Sequence, residues 1–147
     1  MVTTLWQPGR RLFSTAGVLM ILTAFAHTAG HFSPSSGPAE DQLVGAMRDF
    51  RMALGFGMNP SMLDIYSSLS LTMTITFVTL GTISLLLAGS ADTTNRLLRR
   101  AGWVNATWVG AFLAVNAYYQ IPPPLISAAI IELVLLAAVL TPSRRPA

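Results

Sequence analysis

Residues 63–88 read LDIYSSLSLTMTITFVTLGTISLLLA, and after Asp64 the stretch holds no charged side chain. A helix needs about 20 mostly apolar residues to cross a hydrocarbon core of about 30 Å, where no water satisfies a free backbone group. This stretch is long enough. Three more stretches have the same character: about Leu12 to Phe32, Ala101 to Tyr119, and Pro124 to Leu140. The last is the shortest and contains Glu132. The expected fold class is an all-α membrane protein, an up-down four-helix transmembrane bundle forming a single domain over residues 1–147.

Composition agrees. Apolar residues make up 52% of the chain and charged residues 10%, whereas soluble domains carry about 25% charged residues. Too few polar groups are present to cover a globule, so the apolar surface faces the lipid bilayer. The net charge of +3 comes from nine basic residues, all arginine, in short clusters between uncharged stretches. A nucleic-acid binder would gather them on one exposed face, so nucleic acid is not an expected partner. The chain has no cysteine, which excludes disulfides, zinc-thiolate centres and cysteine nucleophiles. Arginine without lysine suggests a GC-rich bacterial source.

Loops rich in Arg stay in the cytoplasm. Arg10 and Arg11 precede the first span, Arg96, Arg99 and Arg100 separate the second from the third, and Arg144 and Arg145 follow the fourth. With four spans these fall on one side. The other side has Arg48 and Arg51, balanced by Glu40, Asp41 and Asp49. The expected location is the bacterial cytoplasmic (inner) membrane, multi-pass, with both termini cytoplasmic. Trp6 and Trp103 fall near the cytoplasmic interface and Tyr66, Tyr118 and Tyr119 near the outer one, where such rings prefer to sit. A cleaved signal is the competing reading of residues 1–26, with Arg10-Arg11 before an apolar run and Ala24-Phe25-Ala26 as a small-x-small site. The apolar run continues to Phe32, and three further spans need no export signal, so a retained span is preferred.

Residues 33–60 form the one sizeable loop. Pro38 suits the first turn of a helix, with Glu40 and Asp41 at its positive end. Leu43, Met47, Phe50 and Leu54 then make one apolar stripe. This spacing predicts an outer amphipathic helix over about 38–54, ended by Gly55-Phe56-Gly57 and lying on the membrane surface or capping the bundle. Asn59-Pro60 reads as the cap and first residue of the next span.

Gly102, Ala106, Gly110 and Ala114 recur every four residues in the third span, a pattern that lets two backbones approach closely. The second span is rich in hydroxyls, and Ser68, Thr72, Thr76 and Thr79 share a face. The favoured role is bonding within and between helices. A water-lined path is the alternative, but no line of acids accompanies them.

Every span also contributes a costly polar group in its outer half or near mid-depth. His27 and His31 are four apart on one face of the first span. Asp64 begins the second, Asn116 lies near the outer end of the third, and Glu132 near the middle of the fourth. Ionisable groups inside a membrane usually face the interior and have partners. His27, His31, Asp64, Asn116 and Glu132 are therefore the candidate ligand-binding set. His27 and His31 are the candidate metal ligands, because imidazoles at i and i+4 suit divalent transition metals. The glutamate of a His-Glu-x-x-His pattern is absent. A wet interfacial position for His31 and a structural hydrogen bond for His27 are the plainer readings. Glu132 and His27 are the candidate catalytic pair, since each would offset the other's burial and together they suit acid–base work on a lipophilic substrate. No cofactor is specified.

The segments HTAGHF (residues 27–32) and NPSMLDIYSS (residues 59–68) resemble a group of small, uncharacterised bacterial four-span integral membrane proteins. The resemblance is best in the first half of the chain. It implies the four-span layout, marks His27, Gly30, His31 and Asp64, and implies no activity. In architecture the chain is also similar to four-span membrane isomerases that use buried His and Glu on sterol-like substrates, though no shared motif carries a role over. Three functions stay open: binding of a hydrophobic small molecule, lipid or metal; an accessory subunit docking through the small-residue face onto a larger membrane complex; and a proton-transfer enzyme. A membrane-protein partner or a homo-oligomer is a possible assembly.

Overall fold

A computed structural model of the chain describes residues 8–141. Trp6, Arg144 and Arg145, and the orientation argument that rests on them, lie outside the described residues. Five helices are present among those described: α1 (Pro8–His31), α2 (Pro38–Asp49), α3 (Met62–Gly89), α4 (Asn95–Tyr118) and α5 (Pro122–Leu140). Helices α1, α3 and α5 are long and apolar enough to cross a membrane. At about 1.5 Å per residue they extend roughly 36, 42 and 28 Å against a core of about 30 Å. The chain is thus a helical, multi-pass membrane protein. Helix α5 qualifies because Glu132 is one carboxyl in an unbroken apolar run. Helix α4 is as long as α1, at 24 residues, but is less apolar. Three arginines open it, and Trp103, Asn105, Trp108 and Asn116 dilute the rest.

The described residues fall into two compact units, one of residues 8–23 and 77–141, the other of residues 24–76.

In the first unit, Arg10, Phe13, Ala16, Gly17 and Met20 are the buried face of α1, one stripe at helical spacing. Phe77, Gly81, Ser84 and Ala88 are the corresponding stripe of α3. The two helices cross at a pair of glycines. A Cβ on Gly17 would lie 2.9 Å from the Gly81 carbonyl oxygen, and one on Gly81 would lie 2.7 Å from that of Gly17. Only hydrogen fits there, and the close approach supplies the dispersion contact that packs helices in lipid. Helix α4 buries Leu98, Gly102, Ala106 and Val109, and α5 buries Ala128, Ile131, Leu135, Ala138 and Val139. Helices α4 and α5 pack along each other, with Gly102 lying against Val139. Phe77 meets Trp108 and Phe112 edge-on at centroid distances of 5.0 and 5.3 Å. Leu86, Val104 and Leu133, each about two-thirds exposed, are apolar surface turned outward, a costless arrangement in lipid.

In the second unit, Gly37 caps α2 and Pro38 opens it. The Glu40 carboxylate accepts hydrogen bonds from the Ser36 hydroxyl and amide at 2.6 and 2.7 Å, which hold its pKa below the ordinary 4.5. No α2 residue is buried. The helix ends at Asp49, five residues before the sequence stripe does, because the chain turns back on itself. Met52 donates its amide to Pro60 and Met62 to Phe50, while Arg51 pairs with Ser61 and Gly55 with Met58. Phe56 and Gly57 both have positive φ, 49° and 77°, the pattern of a type I′ turn. Phe56 stands fully exposed at the tip. Leu54, which continues the α2 stripe by spacing, belongs to this hairpin.

Candidate functional site

Helix α3 begins at Met62, and its cap is Ser61 rather than Asn59. The Ser61 amide and hydroxyl donate to Asp64 Oδ2 at 2.9 and 2.7 Å, and the Asp64 amide donates back to Ser61 Oγ at 3.1 Å. This reciprocal capping box satisfies amides that a helix start leaves unpaired. Asp64 also meets Arg51 at 4.0 Å, and its side chain is 64% exposed. Its geometry is that of a helix-capping group.

Further along α3 in the same unit, two polar pairs join α1 to α3. His27 Nε2 lies 2.8 Å from Ser70 Oγ, and Thr28 Oγ1 lies 3.0 Å from Thr74 Oγ1. Thr72, Thr76 and Ser84 instead donate to carbonyls one turn back, on Ser68, Thr72 and Leu80. These hydroxyls of α3 are thus used within their helix or between helices. His31 sits edge-on to Phe32 at 4.8 Å and tilted to Tyr66 at 6.1 Å. Its Nδ1 is buried with no hydrogen-bond partner among the described residues.

Asn116 and Glu132 belong to the first unit. Asn116 is buried and donates from Nδ2 to the Phe112 carbonyl at 2.8 Å, a local bond within α4. Glu132 lies ten residues into α5 and is half-buried. Its carboxylate rests against Gly110 of α4, where an added Cβ would lie 3.6 Å from Oε1. Oε2 is buried and has no hydrogen-bond partner among the described residues. The first three residues of the small-residue stripe thus serve packing inside the protein, since Gly102 and Ala106 are buried and Gly110 makes room for a carboxylate, while Ala114 is exposed.

The five expected residues thus divide between the two units, with His27, His31 and Asp64 in one and Asn116 and Glu132 in the other. His27 has Ser70 as a partner inside its own unit. Among the described residues, no three His, Asp or Glu side chains gather as a metal site requires.

Two polar residues have roles that charge and composition do not suggest. Arg10 is 4% exposed, and its guanidinium donates to the carbonyls of Ala88, Ser90 and Thr93 at 3.1, 2.7 and 2.6 Å. It closes the carbonyl end of α3 and fixes the turn into α4, where free carbonyls and the helix dipole favour a cation. The signal was spacing: Arg10 lies three residues before Phe13 on the buried stripe. Asn105, also buried, donates to Ser84 Oγ at 2.8 Å and links α4 to α3. No protein-family model, no curated protein and no solved structure matches the chain.

Proposed function

We propose that the chain is a four-span membrane protein, with both termini cytoplasmic, that binds a hydrophobic small molecule or lipid carrying a hydrogen-bond donor at Glu132. The observation that carries this reading is the Glu132 carboxylate beside Gly110, with a buried oxygen that has no partner among the described residues. It lies about 15 Å along a helix roughly 28 Å long, and so near the bilayer midplane. A charged side chain at that depth costs about 2.5–3.5 kcal/mol on insertion scales. A ligand hydroxyl or amine reaching Oε2 would remove much of that cost, and the apolar faces around it would hold the rest of the molecule. Asp64 and Asn116 take no part in this reading, because each is already bonded locally in a structural role. A subunit docking through the whole small-residue stripe is disfavoured, because Gly102 and Ala106 are buried, Gly102 against Val139 of α5. Glu132 is also the base that an enzyme acting on a lipophilic substrate would use.

The test is small-molecule mass spectrometry on protein purified in mild detergent, comparing the natural chain with Glu132→Gln. The reading expects a stoichiometric organic ligand in the natural protein, reduced at least tenfold in the variant. Equal recovery from both, or none from either after loading with total membrane lipid extract, would contradict it.

A further inference from the structure

We propose that the groove at the start of α4 binds the phosphate headgroup of an anionic membrane lipid. The groove is open, holds about 350 Å³, and is lined by Asn95, Arg96, Arg99, Arg100 and Trp103. These positions share one side of the first two and a half turns of α4. Arg10 is engaged by three carbonyls and Arg51 by Asp64. By contrast, Arg96, Arg99 and Arg100 have no hydrogen bond or ion pair with any described residue. Three guanidinium groups within two turns repel one another unless an anion lies among them, and their planar donor forks match phosphate oxygens.

The supporting structure is fixed. Arg10 holds the turn before α4, and the Thr94 hydroxyl accepts the Leu97 amide at 3.3 Å to cap the helix. The positive end of α4 faces the same region and adds to its attraction for an anion. Depth selects a lipid over a free anion. Helix α3 crosses the membrane and ends at Gly89, so the first turns of α4 lie at headgroup level. Trp103, half exposed, lines the same groove about 4.5 Å along the helix from Arg100, at the level where indoles settle. Leu97 and Val104 are exposed apolar neighbours in sequence to the lining residues, and they offer acyl chains a surface. Basic pockets at a membrane face are suited to such headgroups. The site is separate from Glu132 and does not depend on it.

The experiment is native mass spectrometry in detergent with added phosphatidylglycerol, phosphatidylcholine or inorganic phosphate. Phosphatidylglycerol is expected to bind at least tenfold tighter than phosphatidylcholine. The double variant Arg96→Gln/Arg99→Gln is expected to lose at least fivefold of that affinity. Arg48→Gln/Arg51→Gln, which removes the same charge elsewhere, is expected to stay within twofold. Should the first double variant fail to fold, Arg100→Gln alone is expected to lose at least twofold. Equal affinity for the two lipids would overturn the proposal. So would equal losses in the two double variants, which would mean net charge acts rather than a site. Displacement of phosphatidylglycerol by millimolar phosphate would overturn the lipid assignment.

Discussion

Charge counting assigns Arg10 to orientation, yet its guanidinium is 4% exposed and bonds three carbonyls at the end of α3. Hydrogen bonds involving a charged group contribute about 1.5–3 kcal/mol each when both partners are buried, and removing one partner leaves the others unsatisfied. Arg10→Gln is therefore expected to destabilise the protein by about 2–4 kcal/mol in thermal unfolding in detergent. Arg10→Lys should rescue little, because an ammonium cannot span the three acceptors as the planar fork does. Arg48→Gln, on the exposed face of α2, should change stability by less than about 0.5 kcal/mol. Equal stability of Arg10→Gln and Arg48→Gln would show that the three carbonyl contacts do not support the fold. Asp64 is the reverse case. Depth alone marks it as a site residue, whereas Ser61-x-x-Asp64 is the spacing of a capping box and was readable as one.

At the scale of elements, the contact between α1 and α3 depends on Gly17 and Gly81. Gly81→Ala would place a methyl group 2.7 Å from a backbone oxygen, which cannot move aside as a flexible side chain would. A cost of about 1–3 kcal/mol is expected from such overpacking. Gly30→Ala, with nothing within 4 Å of the added atom, should be neutral or slightly stabilising, since alanine is the better helix former. Thermal unfolding of the two variants side by side separates a packing requirement from a general effect of replacing glycine in α1 or α3. Much at this scale was legible in the sequence. Apolar length marked α1, α3 and α5 to within a few residues, and Pro38 marked the start of α2. The end of α2 was not legible, because Leu54 keeps the helical stripe while Arg51 pairs with Ser61 ten residues away. Local periodicity carries no information about such a reversal. The seating of Glu132 at Gly110 was hidden for a related reason: it depends on the register between α4 and α5, which neither helix shows alone.

For the whole molecule, the proposed orientation rests on the number of crossings. Three helices are apolar enough to span, and the proposed topology adds α4 as a fourth. The polar residues of α4 are consistent with that role. Asn105 is bonded to Ser84, Asn116 to its own helix, and the arginines sit at one end, so its buried polar groups are answered within the protein as a membrane requires. If α4 instead lay outside the bilayer, α5 would cross in the opposite direction, and the two termini would lie on opposite sides. The chain has no cysteine, so single cysteines can be placed at Ser36, Asp92 and Tyr119 and labelled with a membrane-impermeant maleimide in intact bacteria expressing the protein. Four crossings predict labelling at Ser36 and Tyr119 in intact cells and at Asp92 only after the membrane is opened; labelling of Tyr119 and Asp92 on the same side would contradict the account.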